Sequence, residues 1–389
     1  MDSGGPQPPW RIAIVHPTFW PYVRRGTERF MAEWSTRLAA LGHHVTILTS
    51  KHGPPETTLL NGVHVRYLRS LWSPGMARFG VHDFHVFPLG SVPALLSGKF
   101  DLIHTFNFTD TLCASWLKPI HRAKVLLHLN TIPPTVQYRR TLSTGGRLLQ
   151  AAVRAADQLL VISQQQQDYF EQRFGRPCIR IPAPVDTAQF PQSKAPNPIH
   201  PILLCASALN DGRKGGKLLM RAFNQLKLRH PNLRLHIAFP LPESLRTELL
   251  ALVDPSFRPD ILFSPAGDDK DLVSAYARAS VLVLPSLYEA FPLVVLEALA
   301  SGTPVVGASD GGIPEMLAPP GTGALFSPGE PENGSPSNLS GLIEATERAL
   351  QLSKDNETPA RCRQAADRYS WDRLTPAYTQ LYSNLIGDK

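Results

Sequence analysis

The sequence predicts an α/β protein made of two doubly wound parallel-sheet domains, and three observations support this. The chain has 389 residues, too many for one ordinary core and well suited to two domains of similar size. Short apolar runs alternate with amphipathic stretches in both halves, which is the pattern of repeated βαβ units. Between the two alternations lies PQSKAPNPIHP, residues 191–201, a Pro-rich polar stretch without periodicity.

The elements follow in order. Residues 1–10 (MDSGGPQPPW) read as a loose polar tail and not as a signal peptide. Arg11-Ile-Ala-Ile-Val15 reads as a first strand. Thr27 to Leu41 reads as an amphipathic helix stopped by Gly42, followed by the strand Val45-Thr-Ile-Leu48. Leu102-Ile103, Val125-Leu-Leu127 and Leu159-Leu-Val-Ile162 are further buried strands, the last followed by Ser163 as a helix cap. Gln164–Gln167 is a solvated helix face. The second alternation runs through the strand Ile202–Cys205, a helix from Gly216 to Leu228, and strands at Leu233–Ala238, Ile261–Phe263, Val281–Leu284 and Val305-Val306. Pro328 to Leu339 reads as a surface loop, and Tyr369 to Leu385 as an aromatic closing helix. The expected organisation is therefore a tail (1–10), a first domain (11–190), a linker (191–201), a second domain (202–368) and a terminal helix (369–389). Ligands of open α/β sheets bind beyond the carboxyl ends of the strands, so two such domains facing each other would share one cleft.

Composition sets further bounds. A hydrophobic content of 43% with 18% charged residues indicates a globular chain, and no apolar run reaches the roughly 18 residues that span a bilayer. Cys113, Cys178, Cys205 and Cys362 are scattered without metal-ligand or disulfide spacing, which points to a reducing cytosol. The net charge of +7 is uneven: residues 1–195 hold 21 Lys/Arg against 11 Asp/Glu. A basic first half suits an anionic partner, whether an acidic membrane face, a lipid-phosphate acceptor or a diphosphate, as well as plain solubility. Its arginines are dispersed apart from the pairs Arg24-Arg25 and Arg139-Arg140. With no aromatic-and-basic platform, nucleic acid is excluded as a partner.

The most informative span is Glu289-Ala-Phe-Pro-Leu-Val-Val-Leu-Glu297, two carboxylates separated by seven residues. The first follows an apolar strand and the second lies in a helix. Pro292 suits the first helical position, so the free N–H groups of Leu293 and its neighbours, beside Phe291, form a seat for a diphosphate. Glu297 lies about 7–8 Å further along the axis, roughly the distance from a distal phosphate to the ribose of a nucleotide sugar. Glu289, ahead of the helix, then meets the sugar hydroxyls. Taken without context, two glutamates at this spacing are ordinary loop and helix charges. Gly311-Gly312 offers a second backbone nest or an ordinary tight turn. Asp269-Lys270-Asp271 has the form of a metal-binding pair, but its place before a helix makes it a cap, and no residues suggest a metal site.

The full stretch PSLYEAFPLVVLEALASGTPVVGASDGGIPEML, from Pro285 to Leu317, resembles the donor-binding motif of the family-4 retaining glycosyltransferases. SALNDGRKGGKLLMRAF resembles the same family's Gly-Arg-x-x-x-x-Arg-Lys-Gly segment, which maps Lys214 onto the donor-phosphate lysine with Arg213 beside it. Gly26-Thr-Glu-Arg29 resembles the family's glycine loop, and Asp101-Leu-Ile-His104-Thr-Phe106 its Asp-x-x-His-x-His segment. The resemblance implies the GT-B fold, two facing Rossmann-like domains with an interdomain cleft. It implies transfer of a sugar from a nucleotide diphosphate to a lipid, glycan or small metabolite, with retention at the anomeric carbon and with neither metal nor cofactor. Glu289, Lys214 and His104 are the implied catalytic residues. Gly26, Arg213, Lys214, Glu289, Phe291, Pro292, Leu293 and Glu297 are the implied donor-binding set, and His128 and Asn130 would line the acceptor side. The sequence departs from the family pattern where Ser207-Ala208 replaces Gly-Arg, Arg25 the first glycine, Phe106 the second histidine, and Ala183-Pro184 Asn-Gly. These departures leave two alternatives open: a relative that binds without transfer, and a GT-B phosphorylase or nucleotide-sugar epimerase.

Overall fold

The computed structural model describes residues 9–23, 25–51, 53–131, 144–192, 199–264, 269–332 and 334–387. The chain divides into two compact units, one of residues 1–162, 166–181 and 376–389, the other of residues 163–165 and 182–375. The Pro-rich stretch 191–201 therefore falls inside the second unit, and its residues 193–198 lie outside the described set, as do Arg24, Arg139, Arg140 and Gly267. Pro182 to Phe190, expected in the first domain, belongs to the second. Phe190 is buried edge-on to Tyr276, and Arg363 donates to its carbonyl at 2.6 Å.

The first unit is an eight-stranded sheet. Its strands are β1 (Arg11–Val15), β2 (His44–Lys51), β3 (Glu56–Leu60), β4 (Val63–Arg69), β5 (Leu102–Thr105), β6 (Lys124–Leu129), β7 (Gln158–Val161) and β8 (Ile179–Arg180). They lie in the order β3-β4-β2-β1-β5-β6-β7-β8, all parallel except the β3–β4 hairpin. Its helices are α1 (Gly26–Ala40), α2 (Asp83–Ser97), α3 (Phe108–His121), α4 (Thr144–Ala155) and most of α5 (Gln164–Phe174). Side-chain alternation sorts the two faces of the sheet. Ala13, Val15, Ile103 and Val125 pack under Phe87 and Leu95 of α2 and Cys113 of α3, and Leu127 and Leu129 pack under Ala152 and Val153 of α4. The opposite parity, with His104 and His128, faces Phe30 of α1.

The second unit is a six-stranded parallel sheet of β9 (Ile202–Cys205), β10 (Arg234–Ile237), β11 (Ile261–Phe263), β12 (Val281–Leu284), β13 (Val305–Ala308) and β14 (Gly323–Phe326), in the order β11-β10-β9-β12-β13-β14. Around it lie α6 (Gly216–Arg229), α7 (Glu243–Leu250), α8 (Asp269–Arg278), α9 (Leu293–Ala300), α10 (Ile313–Met316), α11 (Leu339–Leu352) and α12 (Thr358–Asp367). The last helix, α13 (Trp371–Gly387), has its residues from Pro376 onward in the first unit, where Tyr378 and Tyr382 pack on Trp34.

Each sheet reverses its winding once. From β1 the chain moves outward to β2 and from β5 in the other direction to β6; likewise from β9 to β10 and from β12 to β13. The crevice at such a reversal, beyond the strands' carboxyl ends, is where a doubly wound sheet receives a ligand.

Candidate active site

In the second unit the reversal lies between β9 and β12, and the loops leaving these two strands carry Lys214 and Glu289. The loop after β9 closes with the 3₁₀ turn Gly212–Lys214, capped by Asp211, whose carboxylate accepts from the Arg213 N–H at 3.0 Å. Gly215 follows at φ +70, where a Cβ would lie 2.4 Å from the Pro285 carbonyl oxygen. Only glycine lets the first loop come this close to the second. The Leu287 N–H donates to the Arg213 carbonyl at 2.8 Å and joins the loops. Across this seam Lys214 Nζ donates to Glu289 Oε1 at 2.5 Å, with both side chains largely buried. An ammonium and a carboxylate separated by 75 positions thus form one charged pair at the reversal point.

The loop bearing Glu289 is held from behind. Tyr288 sits at φ +59, in the left-handed region, and its N–H is bound by the Asp310 carboxylate. Gly311 has φ +66, and a Cβ there would lie 1.8 Å from the Glu289 carbonyl oxygen. At Gly312 a Cβ would lie 2.3 Å from the Ala290 carbonyl oxygen. The Gly312 N–H donates to the Glu289 carbonyl at 2.9 Å. The glycine pair therefore serves as the bed for the acidic loop, and the Gly312 N–H is not open to an anion.

Helix α9 begins one residue later than the spacing predicts. Pro292 is its N-cap, at φ −73 and ψ 114, and Leu293 is the first helical residue. The first N–H engaged by the turn is that of Val295, donating to the Pro292 carbonyl at 3.0 Å. The N–H groups of Leu293 and Val294 precede it at the half-buried helix end, where the dipole favours an anion. Phe291 is buried and packs edge-on against Tyr369, so it supports the helix start through packing.

Two residues of the set are more constrained than the sequence suggests. Glu297 is 4% exposed, and Tyr276 Oη donates to its Oε2 at 2.7 Å. It is a buried carboxylate oriented by Tyr276 of α8, a constraint that its spacing from Glu289 does not reveal. Arg213 grips Asp211 through Nε at 3.0 and 3.2 Å and Nη2 at 2.6 Å. Burial by itself would raise the Asp211 pKa, but the bonds from Arg213 outweigh it and hold the carboxyl below its ordinary value. Arg213 is thus held by Asp211 of its own loop.

In the first unit the reversal lies between β1 and β5. Gly26 is the first residue of α1, and the first N–H the helix engages is that of Arg29, at 3.0 Å from the Arg25 carbonyl, leaving those of Gly26, Thr27 and Glu28 at the helix's open end. Asn130 Nδ2 donates to Thr27 Oγ1 at 3.1 Å, and Thr18 Oγ1 donates to the buried Glu28 Oε1 at 2.6 Å. Phe106 is largely buried and lies edge-on to His16, 6.1 Å between ring centroids.

His104 is not part of an open site, contrary to the sequence expectation. It has no solvent exposure, lies 2.6 Å through Nδ1 from Tyr382 Oη and 3.2 Å through Nε2 from His128 Nδ1, and stacks on Phe106. Burial pushes its pKa down to about 3, and that of His128 also well down. Both histidines lie in the core under α1 with almost no solvent exposure.

Among the described residues no three His, Cys, Asp or Glu side chains are placed to hold a metal, and no helix is long and apolar enough to cross a membrane. All four cysteines are free and buried. Asp271 lies in α8, which begins at Asp269. The residues that sequence reading missed are those acting across elements. Tyr276 and Asp310 carry no local signal, whereas Asp211 caps its own turn two residues before Arg213 and Gly311 was visible as a glycine pair without its partner loop.

Comparison with known proteins agrees with this architecture. The family described as "Glycosyl transferases group 1" matches residues 186–368, and "Glycosyltransferase Family 4" matches residues 24–189. The chain is 26% identical to a glycogen synthase of Mycobacterium tuberculosis, covering 96% of this chain and 94% of that one. Among solved structures, sucrose-phosphate synthase from Thermosynechococcus elongatus matches with a TM-score of 0.83 at 22% identity, covering 98% of this chain and all of the other. Anabaena HepE, solved in complex with UDP-glucose, matches with a TM-score of 0.71 at 16% identity, covering 96% and 100%. The chain therefore belongs to the glycosyl transferases group 1 family, a sugar-transferring enzyme of the GT-B type.

Proposed function

We propose that the enzyme takes its sugar from a nucleotide diphosphate and passes it, with retention of anomeric configuration and without a metal ion, to an acceptor hydroxyl on a lipid, glycan or small metabolite. The observation that carries this reading is the Lys214–Glu289 pair, 2.5 Å apart at the winding reversal beside the open start of α9. The UDP-glucose held by the Anabaena relative supports a donor of this class.

In this reading the pair separates when donor binds. The Lys214 ammonium turns to the distal phosphate, which also receives the Leu293 and Val294 N–H groups. Glu289, released, accepts from sugar hydroxyls and fixes the ring. Glu297, already aligned by Tyr276, accepts from the ribose. The bond between the anomeric carbon and the diphosphate oxygen breaks, its electron pair leaving with the diphosphate. The acceptor oxygen bonds to the same face of that carbon, and its proton passes to the departing phosphate oxygen. The protein acts by positioning and charge stabilisation. Neither His104 nor His128 takes part. The free, buried cysteines favour a reducing compartment.

A thermal-shift screen of nucleoside diphosphates and their sugars tests the donor class. Selective stabilisation by one base is expected, and it should be lost in Lys214→Ala. Proton NMR of the transfer product reads the anomeric configuration, and rates in excess EDTA read the metal requirement. An inverted product or full loss of rate in EDTA rejects the corresponding part of the proposal.

A further inference from the structure

The first unit carries an outer surface that the transfer chemistry does not use. Helices α2, α3 and α4 cover one face of its sheet side by side, α3 packing against both neighbours. Two side-chain bonds fix the register of the first pair: Thr109 Oγ1 donates to the Phe84 carbonyl at 2.6 Å and Cys113 Sγ to the Pro88 carbonyl at 3.4 Å. The helices therefore run parallel with residues 88 and 113 level. At 1.5 Å per residue, Leu89 and Leu96 stand about 1.5 and 12 Å beyond that level, and Trp116 and Ile120 about 4.5 and 10.5 Å beyond it. Leu89 is 67% exposed, Trp116 74% and Ile120 67%, and Leu96 is also exposed. They form an apolar strip on the solvent side of two adjacent helices, the kind of patch that marks an interaction surface.

The exposed charges around the strip are mostly cationic; Lys118 of α3 is paired with the largely buried Asp157 just after α4. Lys99 and Arg122, both exposed, follow the carboxyl ends of α2 and α3, and α4 exposes Arg147 and Arg154 two turns apart. The three helices contain only two carboxylates. Asp110 is buried, its pKa raised well above the ordinary value chiefly by desolvation. Asp83 lies at the opposite end of α2, bound by Ser50 and Ser70. No exposed carboxylate on these helices balances the cations. A second copy of the same face would meet it with like charge. A bilayer bearing anionic headgroups matches both parts of the surface, because tryptophan and aliphatic side chains enter the interfacial region while flanking Lys and Arg meet phosphates.

We propose that the α2–α4 face of the first unit docks the enzyme onto anionic lipid bilayers. The strip enters the interface and Lys99, Arg122, Arg147 and Arg154 meet the headgroups. The proposal does not depend on the reading of the donor site.

The test is co-sedimentation of the full chain with vesicles of POPC/POPG at 1:1 and of POPC alone, at low and high salt. Binding to the POPG vesicles only, weakened by salt, is expected. R147E/R154E should lower partitioning at least about tenfold, since each headgroup-facing cation contributes roughly fivefold, and W116S/I120S at least about tenfold through the apolar area it withdraws from the interface. Thermal melts and soluble-donor turnover like those of the parent chain show that both variants are folded. Three outcomes overturn the proposal: no sedimentation with POPG vesicles, undiminished binding by both folded variants, or a dimer in size-exclusion light scattering that W116S/I120S dissolves.

Discussion

Gly311→Ala tests whether the glycine pair positions the acidic loop. The added Cβ would lie 1.8 Å from the Glu289 carbonyl oxygen and 2.7 Å from its carbonyl carbon. A comfortable contact is about 3.5 Å, so the Glu289 segment has to retreat by roughly 1–2 Å. The substitution also places an alanine at φ +66, a cost of about 1–2 kcal/mol. It weakens the Gly312 N–H bond to the Glu289 carbonyl, a further cost of about 1 kcal/mol. A loss of about 2–3 kcal/mol in a unit of this size lowers Tm by roughly 4–12 °C. The larger effect should be on turnover, because a shift of about 1 Å in a positioning group costs on the order of 100-fold. Gly42→Ala is the control, with equal backbone strain at φ +91 but no atom within 4 Å of its Cβ. It should lower Tm with little change in kcat. Initial rates at saturating donor, with melts followed by circular dichroism, read both quantities. Near-parental turnover in Gly311→Ala, or an equal activity loss in Gly42→Ala, would refute the argument.

Lys214→Ala removes a charge-assisted bond to the diphosphate worth about 1.5–3 kcal/mol, so kcat/KM should fall roughly 10- to 150-fold; a change within twofold contradicts its assigned role. Tyr276→Phe takes a hydroxyl donor from the buried Glu297 carboxylate, and urea unfolding should show a loss of about 1–3 kcal/mol alongside a raised KM for donor. His104 makes stability pH-dependent. Its native pKa of about 3 lies below the unfolded value of 6.5, so in that window the unfolded chain binds a proton that the native chain refuses. The stabilisation is complete above the unfolded pKa and falls as pH drops, by about 1.4 kcal/mol per unit. Roughly 2 kcal/mol should go between pH 6.5 and 5, and His104→Asn should show a drop smaller by that amount.

The sequence was most legible where one residue type had one physical reading. The central strands β1, β9 and β12 are continuous apolar runs because both faces of a doubly wound sheet are covered. Gly42 and Gly302 stop helices by adopting positive φ, at +91 and +85. The β3–β4 hairpin escaped notice although Asn61-Gly62, at φ 49 and 80, is its turn signal and β4 alternates buried Val63, Val65 and Tyr67 with more open positions; β3 is a mostly exposed edge strand. Helix α2 was hidden by Pro88 and Pro93, which argue against a helix interior, yet burial of Phe87 and Leu95 on the sheet outweighs the lost backbone bonds. His104 matched a motif position, but every side chain of β5 is buried, so the strand leaves it no open face. The meeting of Lys214 with Glu289 follows from the reversal of winding between β9 and β12. The Tyr276–Glu297 bond depends on how α8 is rotated about its axis, which no local pattern records.

At the proposed donor site both loop cations are paired. Lys214 is held by Glu289 and Arg213 by Asp211, so these four side chains carry no net charge. A diphosphate has to exchange with carboxylates for its partners. In the proposed function Glu289 gains sugar hydroxyls in return, whereas Asp211 has no such exchange, so Arg213 is expected to stay with it. With Ala208 in place of a guanidinium, the donor meets one mobile cation and one helix end. Asp211→Asn separates these effects. The amide oxygen still accepts from the Arg213 N–H and keeps the Gly212–Lys214 turn, while the charge that holds the Arg213 side chain is gone. Released next to a diphosphate, Arg213 should supply about one charge-assisted bond, tightening nucleoside diphosphate binding roughly tenfold. Isothermal titration of the two proteins reads this directly, and the gain should shrink as salt rises. Unchanged affinity with an intact melt would mean that Arg213 cannot reach the phosphates and that the loop cations do not limit donor binding.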